Sequence, residues 1–147
     1  MENTKDFVYP WIGKTSKMID HFHSKKFKEN GYDLTKEQWI MLKVISENNG
    51  VSQNEIACLT NRDKTTLTRL VTTMEKKNYI ARIPSNIDKR VNLIYLTTHG
   101  EKILNETKLI VKDLMDKLNS GITKQEEKAV IEVMKKIQNN IELTNGC

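Results

Sequence analysis

The chain has 147 residues, 37% of them hydrophobic and 29% charged, and a net charge of +5. That length suits one domain with its own core: a chain this size buries about 68–70% of its unfolded surface and folds without a disulfide framework or a structural metal. The longest apolar runs, Trp39 to Leu42 and Leu93 to Leu96, fall far short of the roughly 18 residues of a spanning helix, which excludes a helical membrane protein. Glu2 and Asp6, with no apolar stretch behind them, leave no secretory signal to expect. Two cysteines, Cys58 and Cys147, are too few for a disulfide scaffold and point to a reducing cytoplasm.

The spacing predicts a first helix from about Phe7 to Glu29, with Val8, Trp11, Ile12, Met18, Ile19 and Phe22 on one face and Asn30-Gly31 as its stop. Pro10 is tolerable there only because it lies near the helix start. A second helix opens at Thr35, whose pairing with Gln38 makes a capping box, and carries Trp39, Leu42 and Ile45 inward to a stop near Asn49-Gly50. Ser52 and Glu55 form another box ahead of a short helix with Ile56, Ala57 and Leu59, and Cys58 is expected to point inward beside them. Asp63 starts a fourth helix, in which Leu67, Leu70, Val71 and Met74 keep the spacing of a half-buried face. Asn78 stands where the chain must turn left-handed to leave it.

The period then changes. Tyr79 to Pro84 and Val91 to Leu96 are rich in β-branched and aromatic residues and flank a polar turn from Ser85 to Arg90, the pattern of a hairpin with a charged tip. Thr97 or Thr98, the latter boxed with Glu101, opens a long helix with Ile103, Leu104, Val111, Leu114 and Leu118, broken at Gly121. Thr123 with Glu126 caps the last helix, which lines up Val130, Val133, Met134, Ile137 and Ile141. The expected fold is mainly α with a small β-hairpin: one domain over 1–147, with a winged helix-turn-helix at 35–97 and dimerisation helices at 1–31 and 98–147. The outer helices hold more apolar surface than one small core needs, and a two-chain bundle would use it.

The charge is concentrated in the middle of this arrangement. Between Asn61 and Arg90 stand eight bases against three acids, and the rest of the chain is neutral. All four arginines lie in that window: Arg62, Arg69, Arg82 and Arg90. Arginine's planar fork suits phosphate oxygens and guanine edges, so a confined region of this kind fits a polyanion. The fourth helix, opposite its apolar face, offers Lys64, Thr65, Thr68, Arg69 and Thr72, with Thr66 and Thr73 at the margins. Short hydroxyls and bases without bulky apolar groups are what a helix in a major groove requires, whereas so many threonines are poor helix formers on a merely solvated face. Ser52, Gln53 and Asn54 at the start of the short helix can hold a phosphate besides capping it. On the wing, Asp88 and Arg90 are taken to share one side of an extended segment. Asp88 would then aim the Arg90 guanidinium at a narrow minor groove, with Lys89 and Arg82 nearer the phosphates. The plain alternative is an exposed ion pair of little energetic weight.

Four segments together, Asp63-Lys64-Thr65-Thr66-Leu67-Thr68-Arg69-Leu70, Glu75-Lys76-Lys77-Asn78-Tyr79-Ile80, Asp88-Lys89-Arg90 and Leu96-Thr97-Thr98-His99-Gly100, resemble the MarR family of bacterial winged helix-turn-helix regulators. The likeness covers about Leu34 to Leu104 by motif and the whole chain by helix order. Asn78 departs from it, standing where the family usually has glycine. The resemblance implies a cytoplasmic homodimer joined through its first and last helices. It implies the Asp63 helix in the major groove of double-stranded DNA, Arg90 in the minor groove, and contacts from Thr68 and Arg69. It also implies a small aromatic or anionic effector held between the bundle and the winged helix, for which Trp11, His21 and Trp39 are candidate lining residues, ordinary core packing being the competing reading.

No cofactor and no metal is expected. His21 and His23, two apart on a helix, do not face one ion together, and His99 is remote in sequence. No nucleophile–base pair, phosphate loop or pair of acids stands out, so catalysis is not expected. The reading is a sequence-specific DNA-binding transcriptional regulator, most often a repressor in such families, on a pseudopalindromic operator. The competing readings are a winged helix used for protein–protein contact and a redox- or metal-responsive regulator acting through Cys58.

Overall fold

The computed structural model describes residues 4–141. After a single 3-10 turn at Thr4–Asp6, six helices follow in order. They are α1 (Val8–Glu29), α2 (Lys36–Glu47), α3 (Gln53–Thr60), α4 (Lys64–Lys76), α5 (Thr98–Leu118) and α6 (Lys124–Asn140). Three strands, β1 (Val51–Ser52), β2 (Ile80–Pro84) and β3 (Asn92–Leu96), form an antiparallel sheet in the order β1-β3-β2. The mainly helical fold with a wing is therefore present. The wing has one strand more than the hairpin expected from sequence, because Val51 and Ser52 pair with Ile94 and Leu93.

The helix starts follow the local chemistry. Thr35, Ser52 and Thr123 each accept from the backbone N–H three residues on while Gln38, Glu55 and Glu126 return the bond, which completes the three capping boxes. Asp63 caps α4 through the Thr66 N–H at 2.9 Å. At its other end Asn78 takes φ +59°, and the N–H groups of Tyr79 and Asn78 reach back to Met74 and Glu75, closing a Schellman cap without glycine. Before α5 the cap is Thr97, not Thr98 with Glu101. The choice is tertiary: the Thr97 hydroxyl donates to the Asn78 carbonyl at 2.5 Å while accepting from the Gly100 N–H, and the Thr97 N–H donates to the Tyr79 carbonyl. A Cβ on Gly100 would lie 2.0 Å from that same carbonyl. The Leu-Thr-x-x-Gly run is thus the seam that docks the start of α5 on the end of α4.

The core lies inside the winged helix and beneath α1 and α5. Phe27, Met41, Leu42, Ile45, Ile56, Leu67, Val71, Met74 and Ile94 are fully buried, with Ile80, Leu104 and Val111 close behind. Each such side chain contributes about 1.5–3 kcal/mol of burial. The flanks differ. α6 buries no residue at all, and Val130, Ile131 and Ile141 are more than half exposed. Val8, Trp11 and Met18 of α1, expected on one apolar face, also lie exposed. Leu59 is exposed too, since α3 is a short helix with only Ile56 turned to the core. Cys58 is not the inward thiol expected: it sits on the exposed side of α3 and is disulfide-bonded. The cysteine count therefore loses its force as an argument for a reducing compartment, and Cys147 lies outside the described residues.

Candidate nucleic-acid interface

The outer face of the winged helix is built by α3, α4 and the wing. Asn61, in the left-handed conformation at φ +50°, turns the chain from α3 into α4. The polar start of α3 then lies against α4, where Gln53 Nε2 donates to the Thr68 hydroxyl at 2.8 Å. Ser52 is occupied by its capping box, and Asn54 is exposed beside it. On α4 the side chains of Lys64, Thr65 and Arg69 are exposed and make no hydrogen bond or ion pair among the described residues. The other threonines are less available than the sequence implied. Thr66 donates to Asp63 at 2.6 Å, and the Thr68 and Thr73 hydroxyls donate to the carbonyls of Lys64 and Arg69. Such back-bonding spends the hydroxyl protons, and Thr68 also accepts from Gln53, so what these exposed threonines retain for a base edge is chiefly their methyl groups. The Thr66 bonds hold the Asp63 carboxyl below the usual carboxylate range.

At the wing tip Asp88 clamps Arg90. The Arg90 N–H and Nε donate to Oδ1 at 3.0 and 3.2 Å, and Nη2 approaches Oδ2 at 3.4 Å. The sequence argument reached this pair by the wrong route, because residues 88–91 form a tight turn closed by Val91 N–H to the Asp88 carbonyl, not an extended strand. The Arg90 backbone N–H, then its side chain, keeps the Asp88 carboxyl below its ordinary range. Arg90 remains 91% exposed, so the clamp aims the guanidinium without hiding it. Lys89 next to it is exposed and unpaired among the described residues.

Two arginines stand elsewhere than expected. Arg82 is not turned outward toward phosphates. Its Nε and Nη2 donate to Glu75 on α4 at 3.2 and 3.0 Å, and Nη2 also reaches Thr72 at 3.4 Å. Those bonds lower the Glu75 carboxyl and raise Arg82 relative to their ordinary values. Thr72 is correspondingly half-buried. Arg62 is half-buried at the junction of α3 and α4, and its Nε, fully covered, meets no acceptor among the described residues. A further base of the window, Lys77, turns away to bind Asp33 at 2.9 Å and the Gln38 amide oxygen, beside the Tyr79 hydroxyl on the Asp33 carbonyl. Sequence reasoning missed Glu75 and Asp33 as organisers, since Arg82 meets Glu75 only when β2 folds back on α4 and Lys77 lies 44 residues from Asp33.

The three candidate effector residues do not converge. Trp39 lines a groove of about 590 Å³ between α2 and α5, with Lys43, Lys108, Val111, Lys112 and Met115, and its indole N–H donates to the Thr107 hydroxyl at 3.0 Å. His21 lines a separate groove of about 820 Å³ with Met18, Phe22, Lys117 and Leu118. Trp11 lines neither and donates its indole N–H to the Lys5 carbonyl. Among the described residues no three His, Cys, Asp or Glu side chains gather as a metal site. His23 is buried against Phe27 and bonds the Ile19 carbonyl, apart from exposed His21.

Residues 34–91, the span from the start of α2 to the wing tip, match the family model described as "MarR family". Over these residues, about two fifths of its length, the chain is similar to the MarR family. Among its relatives is an uncharacterized HTH-type transcriptional regulator of Bacillus subtilis, YybA, 26% identical over 131 residues that cover 89% of this chain and 86% of that one. Among solved structures, a Staphylococcus aureus MepR–DNA complex superposes with a TM-score of 0.83 at 24% identity, covering 93% of this chain and all of the other. A SlyA-like transcription regulator from Listeria monocytogenes superposes at 0.77 and 26% identity, over 92% and 89% of the two chains. The matched span contains the whole basic window and the wing as far as its tip.

Proposed function

We propose that this chain is a sequence-specific, DNA-binding transcriptional regulator of the MarR type that acts as a homodimer. The observation that carries the reading is the exposure, on one face, of Lys64 and Arg69 on α4 and of Lys89 and Arg90 on the wing, with Asp63 spent on capping α4 and Asp88 on aiming Arg90. α4 enters the major groove, Arg69 reads base edges, and the wing lays Arg90 into the adjacent minor groove. The MepR structure bound to DNA supports this docking by its fold. Ser52, Gln53 and Asn54 take a phosphate at the start of α3. The exposed apolar faces of α1 and α6 pair two copies, which places two heads on half-sites about 34–36 Å apart. Repression is the expected output, as the name of a relative, the E. coli transcriptional repressor MprA, 23% identical over 145 residues, supports.

A small aromatic or anionic effector would lie in the groove beside Trp39, where Lys43 and Lys108 supply positive charge, while Lys112 is paired with Asp116 and Glu47 also lines the wall. It acts by favouring one spacing of the two heads over another, a population shift. The protein is a regulator, not an enzyme. No helix among the described residues is long and apolar enough to cross a membrane, and DNA as its target places its work in the cytoplasm.

The salt dependence of binding to mixed-sequence duplex tests the reading. Four exposed bases per head, doubled in a dimer, predict a slope of log affinity on log salt of about −7 if each meets a phosphate. Weak binding with a flat slope would overturn it in favour of a winged helix that contacts protein.

A further inference from the structure

Of the basic residues that the sequence assigns to DNA, Arg82 alone is held, among the described residues, by an acid from another element. It lies on β2, opposite Ile94 of β3, on the same side of the ribbon as Ile80, which is buried. That side faces α4, and the fork closes on both carboxylate oxygens of Glu75 and on the Thr72 hydroxyl one turn earlier. The pair is partly covered, with side chains 24% and 40% exposed. The strand from Arg82 runs directly into the tip that holds Asp88 and Arg90, while Thr72 and Glu75 continue the helix that carries Arg69. Two reading elements, one for each groove, are thus joined by one bidentate bridge. A two-stranded ribbon has no other polar tie to α4 among the described residues.

We infer that Arg82 is a positioning residue, not a phosphate contact: through Glu75 it fixes the wing at the angle to α4 that lets Arg90 enter the minor groove while Arg69 reads the major groove. The inference rests on the DNA-binding reading above. Its consequences differ in sign from those of a phosphate contact. If Arg82 served phosphate, Glu75 would compete with DNA for it, and neutralising Glu75 would strengthen binding. If Arg82 is a strut, neutralising Glu75 loosens the wing and weakens binding.

The experiment compares wild type, Glu75→Gln, Arg82→Ala, Arg90→Ala and the Arg82→Ala/Arg90→Ala double variant on one duplex selected by the wild type. Affinity and hydroxyl-radical protection of the minor groove are both read. Glu75→Gln should lose about tenfold in affinity, within the range of coupled neighbours, and lose minor-groove protection while the bases read by Arg69 stay protected. The double variant should bind as Arg90→Ala does, because Arg82 acts only through Arg90. Tighter binding by Glu75→Gln, or additive losses in the double variant, would overturn the inference and return Arg82 to the phosphates. Thermal unfolding of each variant, with binding measured well below its midpoint, separates a loose wing from an unfolded head, and Glu75→Gln keeps the test open if Arg82→Ala fails to fold. A wild type that selects no duplex would instead overturn the DNA-binding reading itself.

Discussion

The winged-helix head and the flanking helices are made from the same residue types and treat them oppositely. In the head, the apolar residues of α2 and α4 are inside: Met41, Leu42, Ile45, Leu67, Val71 and Met74 are all fully buried. In the flanks, α6 carries just as regular a stripe and buries none of it, and Tyr9, Trp11 and Met18 of α1 lie open. Helices of this length draw most of their stability from packing, not from propensity. The head is therefore packed within one chain, as is the inner side of α5, whereas α6 and the outer side of α1 leave their apolar stripes open. Charge divides the same way, since the net excess lies wholly in the head. The head carries the positive excess, and in the proposed dimer the open apolar faces of α1 and α6 meet a second copy.

The largest way to break this contrast is in the seam of the head. Gly100→Ala puts a methyl 2.0 Å from the Tyr79 carbonyl oxygen and should cost about 3 kcal/mol in a urea titration, the upper part of the range for overpacking. The same change at Gly13 on α1, where nothing lies within 4 Å, should cost nothing or stabilise by about 0.5–1 kcal/mol. A loss at Gly13 would mean that a partner helix presses on that backbone. In the flank, Val133→Asp on the open face of α6 should weaken self-association by about 2 kcal/mol or more in sedimentation, with the helical content of the head intact by circular dichroism. A dimer as tight as wild type would remove α6 from the interface.

On the DNA-facing surface the effects are smaller. Arg69→Ala should cost about 1–3 kcal/mol in binding and relax base choice at one position of each half-site; unchanged operator affinity would sink its role as a base reader. Lys89→Ala should lower affinity for all sequences alike and flatten the salt slope by about one unit per head, and an unaltered slope would take it off the phosphate contacts. The smallest effect concerns the tip. Asp88 is held below its ordinary range by Arg90, so the clamp is fully formed above the ordinary carboxylate range and is lost as pH falls through the lowered value. The amide resonance of Arg90 should therefore shift with a midpoint below that of an unperturbed aspartate, and a midpoint at the ordinary value would show that the clamp contributes nothing.

Much of the fold was legible because local chemistry governs it. Three capping boxes, the Asp63 cap and the left-handed Asn78 all depend on neighbours a few residues away. What escaped the sequence depends on residues that meet across the fold. β1 is two residues long and exists only because β3 passes beside Val51. Thr97 and Thr98 are equivalent candidates until the carbonyls of Asn78 and Tyr79 arrive at one of them. Arg82 looks like any other base of the window until β2 folds back and sets it on Glu75, seven residues away. The wing clamp was foreseen as a pair but credited to strand alternation, whereas a turn makes it. Trp11, His21 and Trp39 share an aromatic character and no cavity, because each belongs to a different face of α1 or α2.

Selection of bound duplexes from a random DNA pool tests the central claim most directly, since it reads the head and the flanks together. The account predicts recovery of an inverted repeat whose half-site centres lie about one helical turn apart, each half-site bearing a base preference that Arg69→Ala relaxes. Recovery of a single half-site would contradict the pairing of two copies through the flanks, and recovery of no motif would contradict the reading of α4 and the wing as a DNA-binding head.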